Sequence, residues 1–273
     1  MATIAFIGSG TMGEALATAA VKALDPRHVC VTDQAPGKAE ALAAKLGCKH
    51  AATNAEAVRQ ADYVVMCIKP QFMAEALVSM REAFQADIAG GGRKIIVSIV
   101  AGFESERYWQ AIGCESAQLP VIRMLPNTAC LIGEGFTMVM EDSCYTGEDL
   151  AALQDILQHS GGFATLPKSQ FTAGTVLTST SPAFIAMFAS SLADAGVYNG
   201  LLRHQARRFA LEGMLSTVKL LMRSDKHFEA LKDDVCSPLG PAIIGVKSLE
   251  DSGFRSSVMN AVIDAYKRFS DIS

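Results

Sequence analysis

The 273-residue sequence predicts an α/β fold in which a parallel sheet flanked by helices gives way to an all-helical segment. Three observations carry that expectation. Short apolar, β-branched runs alternate with helix-like stretches over the first hundred or so residues, a glycine cluster closes the first run, and glycine turns thin out beyond Pro167. Strands separated by helices imply right-handed crossovers and a doubly wound sheet.

Taken in order, residues 3–7 read as a strand that ends in Gly8-Ser9-Gly10-Thr11-Met12-Gly13, and residues 14–24 as a helix. Residues 28–32, 63–68 and 94–100 read as further strands, with helices at 37–46 and 72–84 between them. Residues 121–125, 136–140 and 163–166 are strand-like, with mostly turn residues between the first two, so the sheet is expected to gain antiparallel members there. After Pro167 a helical period takes over, and Phe184, Met187, Phe188, Ser191, Leu192 and Ala195 share one face. The domain boundary is therefore set at 1–166 and 167–273.

A lone Gly-x-Gly-x-x-Gly is a weak signal, but here it follows a strand and opens a helix at the start of a βαβ unit. Gly8 suits a tight turn, Gly10 lets a diphosphate approach the backbone, and Gly13 lets helix and strand pack closely. That is the dinucleotide cradle of a Rossmann-type sheet, with Thr11 and Met12 at the helix N-terminus beside the anion. Asp33, twenty residues after Gly13, stands where a carboxylate accepts from a ribose 2′-hydroxyl, which favours NAD; Thr32 and Lys38 flank the same place and suit the 2′-phosphate of NADP. Both reduced cofactors stay open. Ile68-Lys69-Pro70 and Ala101-Gly102 sit at the carboxyl ends of later strands, on the rim where such sheets bind ligands, and small residues at 101 and 102 leave room for a nicotinamide ring.

Composition removes several alternatives. With 24 Lys+Arg against 28 Asp+Glu and no basic run, nucleic acid is not expected as a partner. The seven cysteines are scattered without a CxxC pair or a histidine at metal-ligand spacing, so they read as reduced thiols, with no metal. No signal-peptide pattern precedes the first strand, and the expected location is the cytoplasm. Between residues 169 and 202 the only formally charged residue is Asp194, yet Ser, Thr and Pro182 interrupt the apolar run; the expectation is a helix covered by protein, a second subunit included, rather than by lipid.

Two separated stretches add a resemblance. Val121-Ile-Arg-Met-Leu-Pro-Asn-Thr128 followed by Gly133-Glu134-Gly135, and Asp234-Val-Cys-Ser-Pro238 followed by Leu249-Glu-Asp-Ser-Gly-Phe-Arg-Ser256, resemble the signature segments of the pyrroline-5-carboxylate reductases. The likeness extends over nearly the whole chain, taking in the Gly8 loop, Lys69-Pro70-Gln71 and Ala193-Asp194-Ala195-Gly196. It implies a Rossmann domain followed by a helical dimerisation domain, a homodimer or higher oligomer, and reduction of 1-pyrroline-5-carboxylate to proline with NADPH or NADH. Asn54 and Lys69-Pro70 match positions near the cofactor, and Ser237 matches the serine whose loop receives the substrate carboxylate at a helix start. Gly240, Ala242 and Thr180 match the remainder of the substrate site.

Departures from that pattern fall where the substrate is expected. Leu239-Gly240-Pro241-Ala242 stands where the family usually has Gly-Gly-(Thr/Ala)-Thr, so Pro241 lacks an N–H and Ala242 lacks a hydroxyl. Ser179-Thr180-Ser181 replaces Gly-Ser-Gly ahead of Pro182, and Phe184 takes a tyrosine's place. These changes leave two further readings beside the main one: a reductase of a different cyclic imine or imino acid, or a dinucleotide-binding homologue with impaired catalysis.

Overall fold

A computed structural model describes residues 2–271. Eight strands, β1 (Ile4–Ile7), β2 (Val29–Thr32), β3 (Lys49–His50), β4 (Tyr63–Met66), β5 (Ile95–Ser98), β6 (Val121–Leu125), β7 (Gly135–Met140) and β8 (Gly161–Leu166), form one sheet in the order β3-β2-β1-β4-β5-β6-β7-β8. Every neighbouring pair is parallel except β6 with β7. One antiparallel turn-back is thus what the sequence pattern foreshadowed. The pairing of β7 with β8 is parallel because a helix, α6 (Gly147–Leu157), carries the chain back across the sheet.

Strands β1, β2, β4 and β5 are buried along their whole length, as a sheet covered on both faces requires. Their alternation sorts the core into two layers. Ala5, Ile7, Val64, Met66 and Ile96 point to one face and pack with the helices α3 (Asn54–Arg59), α4 (Met73–Ala89) and α5 (Ser105–Ile112). Ile4, Phe6, Val29, Val31, Val65 and Val97 point to the other, under α1 (Thr11–Ala23), α2 (Lys38–Leu46) and α6. The same face holds Tyr63, whose hydroxyl donates to the Asp149 carbonyl at 3.0 Å. On α5 the chain's single tryptophan, Trp109, donates its indole N–H to the Leu119 carbonyl at 2.8 Å.

Helix α7 (Lys168–Ser179) follows β8 directly, and its Phe171 packs with Met138 and Met140 of β7. By its own contacts the chain divides after Ser179: α7 and residues 266–271 group with the sheet, and Thr180–Ala265 form a second unit. The helices from Thr180 onward are α8 (Ser181–Tyr198), α9 (Arg203–Arg223), α10 (Phe228–Val235), α11 (Pro241–Asp251) and α12 (Phe254–Asp271). Within this single chain only Ala193 of α8 is buried, so the cover expected for that charge-poor helix does not come from its own fold. By length and composition alone the stretch Lys168–Tyr198, which holds an 18-residue window of mean hydropathy 1.4, is also apolar enough to cross a membrane.

Candidate active site

The crevice where the strand order reverses, between β1 and β4, opens at their carboxyl ends and is the natural ligand site of such a sheet. Strand β1 ends at Ile7, and the chain turns at Gly8 with φ 103°. A Cβ there would stand 2.6 Å from the Cys67 carbonyl oxygen, so only glycine fits. Gly8 nevertheless keeps its N–H on the Thr32 carbonyl at 2.8 Å, tying the loop to β2. Gly13 faces inward from the first turn of α1, where a Cβ would overlap the Gly8 carbonyl oxygen. Gly10 is different in kind.

At φ −71° any residue could take the Gly10 backbone, and a Cβ built on it meets nothing within 4 Å. The protein's own packing therefore makes no demand for glycine at this position. Gly10 is also the N-cap of α1 and no side chain caps the helix there, so first-turn N–H groups face outward with the positive end of a 13-residue helix behind them. An open cradle that a side chain would fill, beside uncapped helix donors, fits a diphosphate.

Around this cradle lies a cleft of about 440 Å³. Of the residues expected from sequence, Gly8, Gly10, Asp33, Asn54, Ile68 and Lys69 line it together. Thr11 and Met12 sit in the first turn of α1, and Pro70 starts a short 3-10 turn just after Lys69. Ala101 and Gly102 form the turn that follows β5, with Gly102 buried at φ 71°. That turn is held from below: the Tyr108 hydroxyl donates to Ser98 Oγ at 2.7 Å, and the buried Arg123 guanidinium meets Glu104 at 2.7 Å and lies over the Phe171 ring.

Sequence reasoning missed Gln34, Ala35, Phe72 and Ala76 in the cleft wall. Phe72 had a usable signal, an aromatic residue placed straight after the Lys69-Pro70 rim and left 45% exposed. Cys67 also lines the cleft, where burial pushes its thiol far above the ordinary range; it is a neutral wall and not a nucleophile.

Asp33 does not face the cleft as a free acceptor. Its Oδ2 accepts from the Ser9 N–H at 2.7 Å and the Ser9 hydroxyl at 2.8 Å, and its Oδ1 accepts from the Ala35 N–H at 2.9 Å. Partial burial works against its charge, but the Ala35 and Ser9 N–H groups, the Ser9 hydroxyl and nearby Lys38 outweigh it and hold the carboxyl below its usual range. Lys38 Nζ stands 3.6 Å from Oδ2 with its side chain half exposed, whereas Thr32 is only 1% exposed. Of the two residues that suited a 2′-phosphate, the structure leaves Lys38 at the surface and withdraws Thr32.

In the second unit, Ser237, Gly240 and Ala242 come together at one loop-to-helix junction. The Gly240 N–H donates to the Ser237 carbonyl at 3.0 Å, closing a β-turn with Pro238 second and Leu239 third. Leu239 has φ 59°, a position that glycine ordinarily takes in a type II turn, and it is 93% exposed. A Cβ on Gly240 would overlap Ser237 Oγ, so the serine hydroxyl is folded over the start of α11. Gly240 is the N-cap without a side-chain cap bond, Pro241 opens the helix, and Ala242 follows in its first turn. Thr180 occupies the N-cap of α8.

Comparison with known proteins agrees with this geometry. The model of the pyrroline-5-carboxylate reductase dimerisation domain matches residues 168–272, and that of the F420-dependent NADP oxidoreductases matches residues 3–102. The chain is 32% identical to the pyrroline-5-carboxylate reductase of Methanosarcina acetivorans, over 98% of this chain and 97% of the relative, and 30% identical to that of Escherichia coli, over 99% and 98%. The crystal structure of Plasmodium falciparum pyrroline carboxylate reductase with NADP bound superposes with a TM-score of 0.85 at 26% identity, covering 99% of this chain and 98% of that one. With a doubly wound sheet, a glycine cradle and near-complete alignment to such relatives, the chain belongs to the pyrroline-5-carboxylate reductase family.

Proposed function

We propose that the protein reduces 1-pyrroline-5-carboxylate to proline with NADPH held in the β1–β4 crevice. The observation that carries this reading is the Gly10 cradle, which leaves the uncapped N-terminus of α1 open to a diphosphate while Gly8 and Gly13 close the turn beneath it. When bound, the reduced nicotinamide supplies the hydride. Gly8, Gly10, Thr11, Met12 and Gly13 bind the diphosphate; Asn54, Ile68, Lys69 and Pro70 border it; and Ala101 and Gly102 give the ring room against the backbone. Thr180, Ser237, Gly240 and Ala242 form the substrate side, with the first turn of α11 receiving the carboxylate.

The protein's task is mostly placement, because a protonated imine already accepts hydride and the amine product has no leaving group to expel. No strong acid is required. Residues 1–166 carry the cofactor and residues 167–273 serve dimerisation, the assignment supported by the family match that begins at residue 168. The protein is a homo-oligomeric cytoplasmic enzyme in this reading, the apolar face of α8 meeting a second copy rather than lipid, and nucleic acid plays no part.

A second reading, a different cyclic imine or imino acid as substrate, is favoured by one observation: Pro241 and Ala242 remove an N–H and a hydroxyl from the first turn of α11. Both readings are tested by following NADPH absorbance while adding pyrroline-5-carboxylate and then other cyclic imines. Oxidation with the first compound is expected; a flat trace with it and a response to another moves the substrate, and a flat trace throughout leaves an impaired homologue. The double substitution Pro241→Ala with Ala242→Thr is expected to raise turnover of pyrroline-5-carboxylate by about tenfold, the worth of one restored polar contact.

A further inference from the structure

We infer that Ser9 sets the cofactor preference of this protein by holding Asp33 away from the adenosine ribose, which leaves Lys38 to select the 2′-phosphate. The inference rests on the dinucleotide reading of the Gly8 loop and names what decides between the two dinucleotides there.

An acidic residue at the end of the second strand ordinarily excludes a 2′-phosphate twice over, by accepting from the ribose hydroxyl of NAD and by repelling the phosphate of NADP. Asp33 has the right place in the chain but its acceptor capacity is turned elsewhere. Three donors converge on it: the Ser9 N–H at 2.7 Å and hydroxyl at 2.8 Å on Oδ2, and the Ala35 N–H at 2.9 Å on Oδ1. A carboxylate that accepts three hydrogen bonds from its own fold gains little by adding a ribose hydroxyl in their place. Ser9 is 5% exposed, so its hydroxyl has no competing solvent partner and the clamp is built into the loop.

A cation stands at the same corner. Lys38 Nζ lies 3.6 Å from Asp33 Oδ2, an ion pair without a hydrogen bond, and its side chain is half exposed on the cleft wall beside Gln34 and Ala35. Lys38 is the first residue of α2, preceded by Gly37 with φ 78°, and Gly37 has no side chain with which to cap that helix. A dianionic phosphate at this corner meets one half-exposed ammonium and the start of a nine-residue helix, while the nearest carboxylate, though still charged, has its acceptor sites turned to Ser9 and Ala35. Lys38 and the start of α2 are therefore the groups left to receive a 2′-phosphate, while Asp33 has little acceptor capacity left for a ribose hydroxyl.

Kd values for NADPH and NADH from nucleotide fluorescence titrations of the full-length protein, without imine, test the inference. The wild type is expected to bind NADPH at least about tenfold more tightly, one charge-assisted contact's worth. Lys38→Ala is expected to remove that margin by weakening NADPH and leaving NADH within about twofold. Ser9→Ala, which frees Oδ2 from the hydroxyl, is expected to narrow the margin from the other side, tightening NADH severalfold. The Ser9→Thr variant, which keeps a hydroxyl, is expected to keep the preference and so separates the clamp from damage to the loop.

Equal affinity of the wild type for both nucleotides overturns the inference alone, as does an equal loss of both in Lys38→Ala or an unchanged margin in Ser9→Ala. A wild-type protein that binds neither nucleotide overturns the dinucleotide reading and the inference with it.

Discussion

At the scale of single residues, the three glycines of the first loop separate folding from binding. Gly13→Ala places a methyl group against the Gly8 carbonyl oxygen and must push α1 off the sheet, so a loss of about 2–4 kcal/mol in unfolding free energy is expected by denaturant titration. Gly10→Ala meets no protein atom within 4 Å and takes a backbone conformation open to alanine, so stability within about 0.5 kcal/mol of wild type is expected. Its methyl group would fill the proposed diphosphate cradle, and NADPH affinity is expected to fall by at least about tenfold. Equal effects of the two substitutions on stability would contradict the division of roles. Leu239 offers the converse case: at φ 59° its side chain is strained and exposed, so Leu239→Gly is expected to stabilise the protein by about 1 kcal/mol.

The cradle was legible in the sequence because glycine spacing reports backbone geometry directly. The fate of Asp33 was not, since both a ribose acceptor and a loop clamp need a carboxylate at the same place; only the direction of the Ser9 hydroxyl distinguishes them. The strain at Leu239 left no compositional mark, and only the resemblance, with glycine usual at that place, pointed to a positive φ there.

At the scale of elements, α6 owes its start to a reciprocal cap. The Thr146 hydroxyl accepts from the Asp149 N–H at 3.2 Å, and Asp149 Oδ2 accepts from the Thr146 N–H at 2.7 Å. Arg93 then clamps Asp149 with two bonds of 2.5 and 2.7 Å. The Arg93 bonds, with help from Thr146, hold the Asp149 carboxyl at about 2, against 3.8 for the free side chain. Because the folded value is depressed, this cap contributes its full stability above about pH 4 and loses it as pH falls toward about 2. Asp149→Asn is expected to lower unfolding free energy by about 1–3 kcal/mol at neutral pH and to flatten the decline between those limits; an unchanged acid limb would show that other carboxylates govern it.

The long apolar strands and α1, α2 and α4 were readable because burial on both faces of a sheet produces continuous β-branched runs. Elements β3, α3, α5 and α6 were not. Strand β3 is two residues long with both exposed, so no hydrophobic pattern marks it, and α3 spans only Asn54–Arg59. Helix α5, Ser105–Ile112, buries only Ser105, Tyr108 and Ile112 on its one inward stripe, too short a repeat to stand out from turn residues. These pieces are fixed by the sheet they cover rather than by their own propensity.

For the whole molecule, the unfilled requirement is cover for α8. Ile185, Met187, Phe188 and Leu192 are left exposed in the single chain, and the match of residues 168–272 to a dimerisation domain supports the proposal that a second copy covers them. Met187, 75% exposed, is a place where a charge would cost little in one chain and several kcal/mol between two. Met187→Glu is expected to shift the sedimenting species from dimer or larger toward monomer while the helical content is retained; an unchanged oligomer would place the contact on another face.

The lone indole on α5 gives the molecule a built-in optical asymmetry. Trp109 belongs to the sheet-bearing unit, and no other tryptophan exists to emit from the helices between Thr180 and Ala265. Its emission wavelength therefore follows melting of one half, whereas far-ultraviolet ellipticity reads the helices of both, α1 to α7 and α8 to α12 alike. In urea, coincident curves would mean that both halves melt as one cooperative body. An ellipticity loss trailing the red shift of Trp109 would mean that the helices from Thr180 onward outlast the sheet-bearing half.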